Sequence, residues 1–195
     1  LSSTPLFELM VALKFPYNTN LAKGTGFINE TISLISFYEI GESKQAFLER
    51  CISQNILDKS TEHRTKDIIN LVFFNRYWKT NYNAIKYLKE LRENGLSLEA
   101  LKSLLYIYTA KANLIFYDFV LELRGLSLNK QITHEVARSF ILRAISNAKA
   151  PEWSASIISR VSSYLMSCLK SFDLLDKGGY FQINFPDQKT VNYMI

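Results

Sequence analysis

The residue order predicts a mainly α fold, and three observations carry that expectation. Apolar residues recur at helical spacings almost to residue 172, Gly, Pro or a Ser/Thr cap punctuates the periodic stretches, and only the last stretch, "YFQINFP", changes to a period of two. With 195 residues, 48% of them hydrophobic and 13% aromatic, the chain is long and apolar enough to bury a core without metals or disulfides. That composition argues against disorder.

A short first helix is expected over residues 5–13, stopped at "KFPYN", where Pro16 disfavours helix at Phe15. "GTGFINETISLISFYE" follows, with Phe27, Ile28, Ile32, Ile35 and Ser36 along one face and Gly41 as a stop. "SKQAFLERCISQNIL" carries Ala46, Phe47, Arg50, Cys51 and Ile52, with Ser43 as its N-cap. A helix from Ser60 or Thr61 to about Trp78 is apolar nearly all round in its second half, "IINLVFFNRYW", and reads as the central helix. "YNAIKYLKELREN" is a more exposed helix with a Lys86/Glu90 pair, ended by Gly95. "EALKSLLYIYTAKANLIFYDFVLELR" is too long and apolar for one exposed helix, so two helices meeting near residues 109–113 are expected. "GLSL" occurs at 95–98 and 125–128, a shared boundary chemistry rather than a repeat.

The end of the chain is the most distinctive part. Thr133 caps "HEVARSFILRAISN", with Val136, Phe140, Ile141, Ala144 and Ile145 as its stripe; "AKAPEW" is a turn broken by Pro151; and Ser154 caps a helix with five serines in "WSASIISRVSSYL". Ile157, Ile158, Val161, Leu165 and Leu169 mark its buried side, leaving Ser156, Ser159, Arg160, Ser163, Ser167 and Lys170 outward. A Gly178-Gly179 turn then leads into Phe181, Ile183 and Phe185 alternating with Gln182 and Asn184, a strand. Helix, turn, helix and β-hairpin is the order of a winged helix-turn-helix. The expected division is a helical bundle lobe over residues 1–128 and a helix-turn-helix lobe over 129–195, packed as one compact unit.

The net charge of +5 is unevenly spread: residues 59–102 hold nine Lys/Arg against five Asp/Glu, and residues 138–170 hold five against one. Such blocks suit a polyanion. In a helix-turn-helix the second helix enters the major groove, and short hydroxyls let its backbone approach closely while Arg160 is long enough to reach a guanine or a phosphate. Lys149 in the turn, Arg143 on the preceding helix and Lys177 at the hairpin turn would flank it. Small faces also permit tight helix packing, so a subunit contact or plain surface stays open for the serines. The other block, with His63, Arg64, Lys66, Arg76 and Lys79 around Tyr77 and Trp78, suits single-stranded nucleic acid, where bases stack between cations, or else core on one side and solvated charge on the other.

Catalytic signatures are not found. "KGTG" at 23–26 lacks the phosphate-loop spacing, the serines have no His/Asp arrangement of a triad, Glu90 and Glu93 read as solvated helix charges, and two histidines give no metal-ligand spacing. Cys51 and Cys168 read as buried reduced thiols. Uncharged runs are about half the roughly 20 residues of a membrane span, and "LSSTPLFELM" lacks a basic start and carries Glu8, so neither a membrane segment nor a signal peptide is expected.

"GFINETISLISFYEIGESKQAFLERCISQNIL", the Arg64 to Arg76 helix, "LLYIYTAKANLIFYDFVLELR" and "EWSASIISRVSSYLMSCLKSFDLLDKGG" resemble, in that order, the BrxA family of bacterial BREX phage-defence systems, over roughly residues 20–185. The resemblance implies a NusB-like helical core, a cytoplasmic setting, and DNA binding as a non-enzymatic accessory beside other BREX subunits; no cofactor is expected. RNA binding or a protein-adaptor role are the alternatives, and a small-molecule substrate is not expected. This chain is less arginine-rich in its middle helices than the family implies. The family supplies no site residues to carry over.

Overall fold

Short polar side chains set where the helices begin. The computed structural model describes residues 15–19, 26–79, 82–125 and 130–182. Helix α1 spans Ile28–Phe37 and α2 spans Lys44–Ser53, the latter opened by Ser43, whose Oγ accepts from Ala46 N at 3.2 Å. Thr61 opens α3 (Glu62–Asp67) in the same way, accepting from Arg64 N at 3.2 Å. These bonds satisfy donors that a helix start leaves orphaned.

Helix α3 runs on through a π-helical segment, Ile68–Phe73, into α4 (Phe74–Tyr77). Period 3.6 does not anticipate that insertion. Trp78–Lys79 (β1) then pairs antiparallel with Tyr82–Asn83 (β2), so the helix stops one residue short of Trp78 and leaves through a small hairpin. Asn83 opens α5 (Ala84–Glu93) through its Oδ1, 2.9 Å from Ile85 N, and Gly95 closes the turn beyond it at φ +86°. Helices α6 (Leu98–Ala112) and α7 (Leu114–Gly125) meet at Asn113 with a bend of 115°, the expected break. The C-terminal pair is α8 (His134–Ser146) and α9 (Ala155–Ser171).

One buried cluster runs from Tyr17 through Phe47, Phe73, Phe116 and Phe119 to Leu174. In α1 the buried residues are Thr31, Leu34 and Ile35 while Ser36 is exposed, which rotates the expected face. In α2, Phe47 and Cys51 are buried but Ala46 is exposed. No single helix among the described residues is long and apolar enough to cross a membrane; the α6–α7 pair passes that test only as a sharply bent unit. The first expected helix, the second "GLSL" beyond Gly125, and Ile183, Asn184 and Phe185 lie outside the described residues.

Candidate nucleic-acid interface

Helix α9 separates its two faces cleanly. Ile158, Val161, Leu165 and Leu169 are buried, and Ser156, Ser159, Arg160, Ser163 and Lys170 are exposed, with Ser167 half-buried at the edge. Ser154 opens the helix by accepting from Ile157 N at 3.4 Å. Ser162 is the exception among the serines: it is buried, and its hydroxyl donates to Ile158 O at 2.8 Å. A hydroxyl that turns back on its own helix satisfies itself without a partner element.

Helix α8 braces this face at its first residue. His134 Nε2 lies 3.1 Å from Ser163 Oγ and 3.3 Å from Ser159 O. A carbonyl only accepts, so this nitrogen carries the proton. The contact links residues 29 positions apart, and nothing in the helical periodicity of either segment signals it.

Below α9 the chain turns back. Leu175 bridges Phe181 antiparallel, and Tyr180 in turn bridges Gln131, just ahead of α8. Ile132 N donates to Gly179 O at 2.8 Å, Gln131 Nε2 donates to Gly178 O at 2.8 Å, and Asp176 N donates to Tyr180 O at 3.0 Å. Gly179 holds φ +81°, a conformation L side chains rarely adopt, and its missing Cβ would sit 3.4 Å from Gln131 Cγ. Lys177 is exposed on the turn so held. Between the start of α8, the outer side of α9 and this turn lies a groove of about 600 Å³, whose walls include His134, Ser163, Ser167, Lys170 and Lys177.

Ion pairing sorts the cations of this end of the molecule. Arg143 is paired to Glu122 of α7, and Lys149 Nζ lies 3.0 Å from Asp118 Oδ2, also on α7. Tyr17 joins the second pair through its hydroxyl, which donates to Asp118, and its backbone N donates to Lys149 O at 3.0 Å. Burial first, and then the adjoining Asp118 carboxylate, raise the Tyr17 hydroxyl above its ordinary pKa. Arg143 and Lys149 thus tie α8 and its following turn to α7, although both remain exposed. Arg160, Lys170 and Lys177 make no ion pair among the described residues. Asp173, the nearest acid after α9, is engaged by Lys102 at 2.6 Å.

The other basic block does not assemble as expected. Arg64 and Lys66 are exposed on α3, but Lys66 lies 3.4 Å from Glu62 and the Arg64 guanidinium sits 5.7 Å from the centre of the Phe27 ring. Arg76 is 3% exposed and donates to Gly26 O at 3.3 Å, so it is a core residue and not part of a surface. Tyr77 is fully buried and closed to bases, while Trp78 is half-buried, packed edge-on against Phe74 at 5.3 Å and Tyr38 at 5.4 Å. Lys79 is exposed, on β1 rather than on a helix. The clue to Arg76 was its place in a segment apolar nearly all round.

Among the described residues no group of three His, Cys, Asp or Glu side chains is placed to hold a metal ion. Cys51 and Cys168 are both fully buried free thiols; burial pushes them up to about 12 and about 11 respectively, which leaves them poor nucleophiles. By fold and by its polar face the chain is a mainly helical protein with a basic, hydroxyl-lined surface groove. The family model for BrxA matches residues 15–194, nearly the whole chain, and the chain belongs to the BrxA family. Membership points to a BREX-associated protein, in a family not known for enzymes. No curated protein matches the sequence.

Proposed function

We propose that the chain binds duplex DNA mainly through its phosphate backbone, as a non-enzymatic, cytoplasmic accessory of a BREX phage-defence system. The observation that carries this reading is the contrast between cations: Arg143 and Lys149 are matched by acids of α7, whereas Arg160 on the outer face of α9 and Lys170 and Lys177 on the groove are exposed and unmatched among the described residues. Unmatched charge of one sign beside small hydroxyls favours a polyanion. Exposure of Ser156, Ser159 and Arg160 supports a ligand over a packed helix. In this reading residues 129–195 form a winged helix-turn-helix lobe on a NusB-like bundle formed by residues 1–128. The order α8, turn, α9 and bridged turn, with Gln131 pairing to the far side of the turn, supports that topology. Base readout is secondary, because one arginine supplies little code.

The test is a duplex-binding titration at two or more salt concentrations. Log affinity falls by roughly 0.9 per neutralised phosphate, so three cations give a slope near 3 in magnitude, and Arg160→Glu lowers both affinity and slope. No binding at low salt would overturn the reading. A second reading, an adaptor docking on other BREX subunits, draws on the exposed side chains Leu114, Tyr117 and Leu121, spaced along one side of α7. It requires Arg160→Glu to leave DNA affinity intact and abolish co-purification with a partner. A preference for RNA over duplex DNA in the same titration would instead support a NusB-like RNA role.

A further inference from the structure

We propose that the turn over residues 176–179 is a preset second contact which makes the interface selective for a double strand, with α9 on one side of a duplex groove and Lys177 on the backbone that borders it. This rests on the DNA-binding reading. Three features of the turn point there. First, it is fixed from both sides: Asp176 N donates to Tyr180 O at 3.0 Å, Tyr180 N to Asp176 Oδ1 at 2.8 Å, and the segment before α8 is bonded to Gly178 and Gly179 through Gln131 Nε2 and Ile132 N. A contact held this way loses little conformational entropy on binding. Second, its glycines suit a tight turn. A Cβ on Gly178 would stand 3.0 Å from the Tyr180 ring, and Gly179 holds φ +81° against Gln131.

Third, the turn and α9 line one groove of about 600 Å³, to which the helix contributes Lys170 and the turn contributes Lys177. The only acid among the described residues that line it, Asp176, has Oδ1 engaged by the backbone N of Tyr180. Lysines on two separately braced elements keep a set spacing, which a duplex with its regular pair of backbones can match along its length. A flexible single strand gains nothing from that spacing, since it can follow α9 alone.

The full chain is titrated with a duplex and with a single strand of equal length, wild type beside Lys177→Ala, Gly179→Ala and Arg160→Glu. Lys177→Ala lowers duplex affinity several-fold and the salt slope by about 0.9, and leaves single-strand affinity unchanged. Gly179→Ala keeps every charge yet lowers duplex affinity alone, because it displaces the turn; thermal melting confirms that the variant is folded. Arg160→Glu weakens both substrates. Equal losses on duplex and single strand for Lys177→Ala, or no loss on either while Arg160→Glu still weakens binding, would overturn the second contact but leave the α9 interface standing. Absence of wild-type binding to both would overturn the DNA-binding reading itself.

Discussion

Arg76 carries the same formal charge as Arg160 and does a different job. It sits at the end of α4, 3% exposed, with Nη1 donating to the carbonyl of Gly26, a residue so close to α9 that a Cβ there would lie 2.2 Å from Ser171 Cβ. The guanidinium thus helps bind the approach to α1 against the core. Arg76→Met keeps much of the volume but leaves the Gly26 carbonyl without that donor, a loss of about 1–3 kcal/mol. The expected outcome is a lower urea midpoint with duplex affinity of the folded protein unchanged. Arg160→Glu reverses the pattern, losing affinity with the midpoint nearly constant, since Arg160 is exposed and makes no ion pair among the described residues. Measuring both quantities on both variants separates a structural cation from a binding one.

Helix starts were legible because their chemistry is local. The residue order names Ser43 and Ser154 as caps and leaves a third start at Ser60 or Thr61; the side chains of Ser43, Thr61 and Ser154 each accept from a backbone N–H three residues on. Thr133 stands at the N-cap of α8 without that side-chain bond. The caps are unequal: Ser97 Oγ is 3.2 Å from Ala100 N, while Ser154 Oγ is 3.4 Å from Ile157 N. Ser97→Ala is therefore expected to cost about 1 kcal/mol and Ser154→Ala roughly 0.5 kcal/mol, the low end for a lost cap, read from thermal or urea unfolding. Elements that depend on remote strands or on helix irregularity were less legible. The π segment at Ile68–Phe73 and the β1–β2 pair carry too few residues to impose a period of their own.

The core draws on nearly the whole described chain, and its buried acids titrate late. Burial raises Cys51 from 9.0 to about 12 and Cys168 from 9.0 to about 11, and it is also the leading cause that raises Tyr17, Tyr106 and Tyr108. Each group is protonated in the native state at a pH where the unfolded chain has begun to lose that proton. Their contribution to stability is whole below about pH 9 and declines as pH rises toward the native values, since the unfolded state then binds fewer protons. The urea midpoint is expected to hold between pH 7 and pH 8.5 and to fall from there to pH 10.5. Cys168→Ala lowers the starting value through the cavity it leaves, but flattens that fall. An alkaline fall as steep in the variant as in the wild type would remove Cys168 from the account.

Residue order alone settles what neighbours along the chain can enforce: helical periods, capped starts, the break at Asn113, and a serine helix with its hydroxyls on one side. Those are decided by backbone geometry within a few positions, so a single sequence displays them. Which cations stand free is another matter. Arg143 meets Glu122 and Lys149 meets Asp118 across 21 and 31 residues, Arg76 reaches Gly26 across 50, and Gln131 fixes the turn at Gly178 across 47. Partners so remote are chosen only when the helices pack, because charge and burial act through space. Tertiary structure therefore decided that, among the described residues, Arg143 and Lys149 are paired while Arg160 on the outer face of α9 and Lys170 and Lys177 on the groove are not.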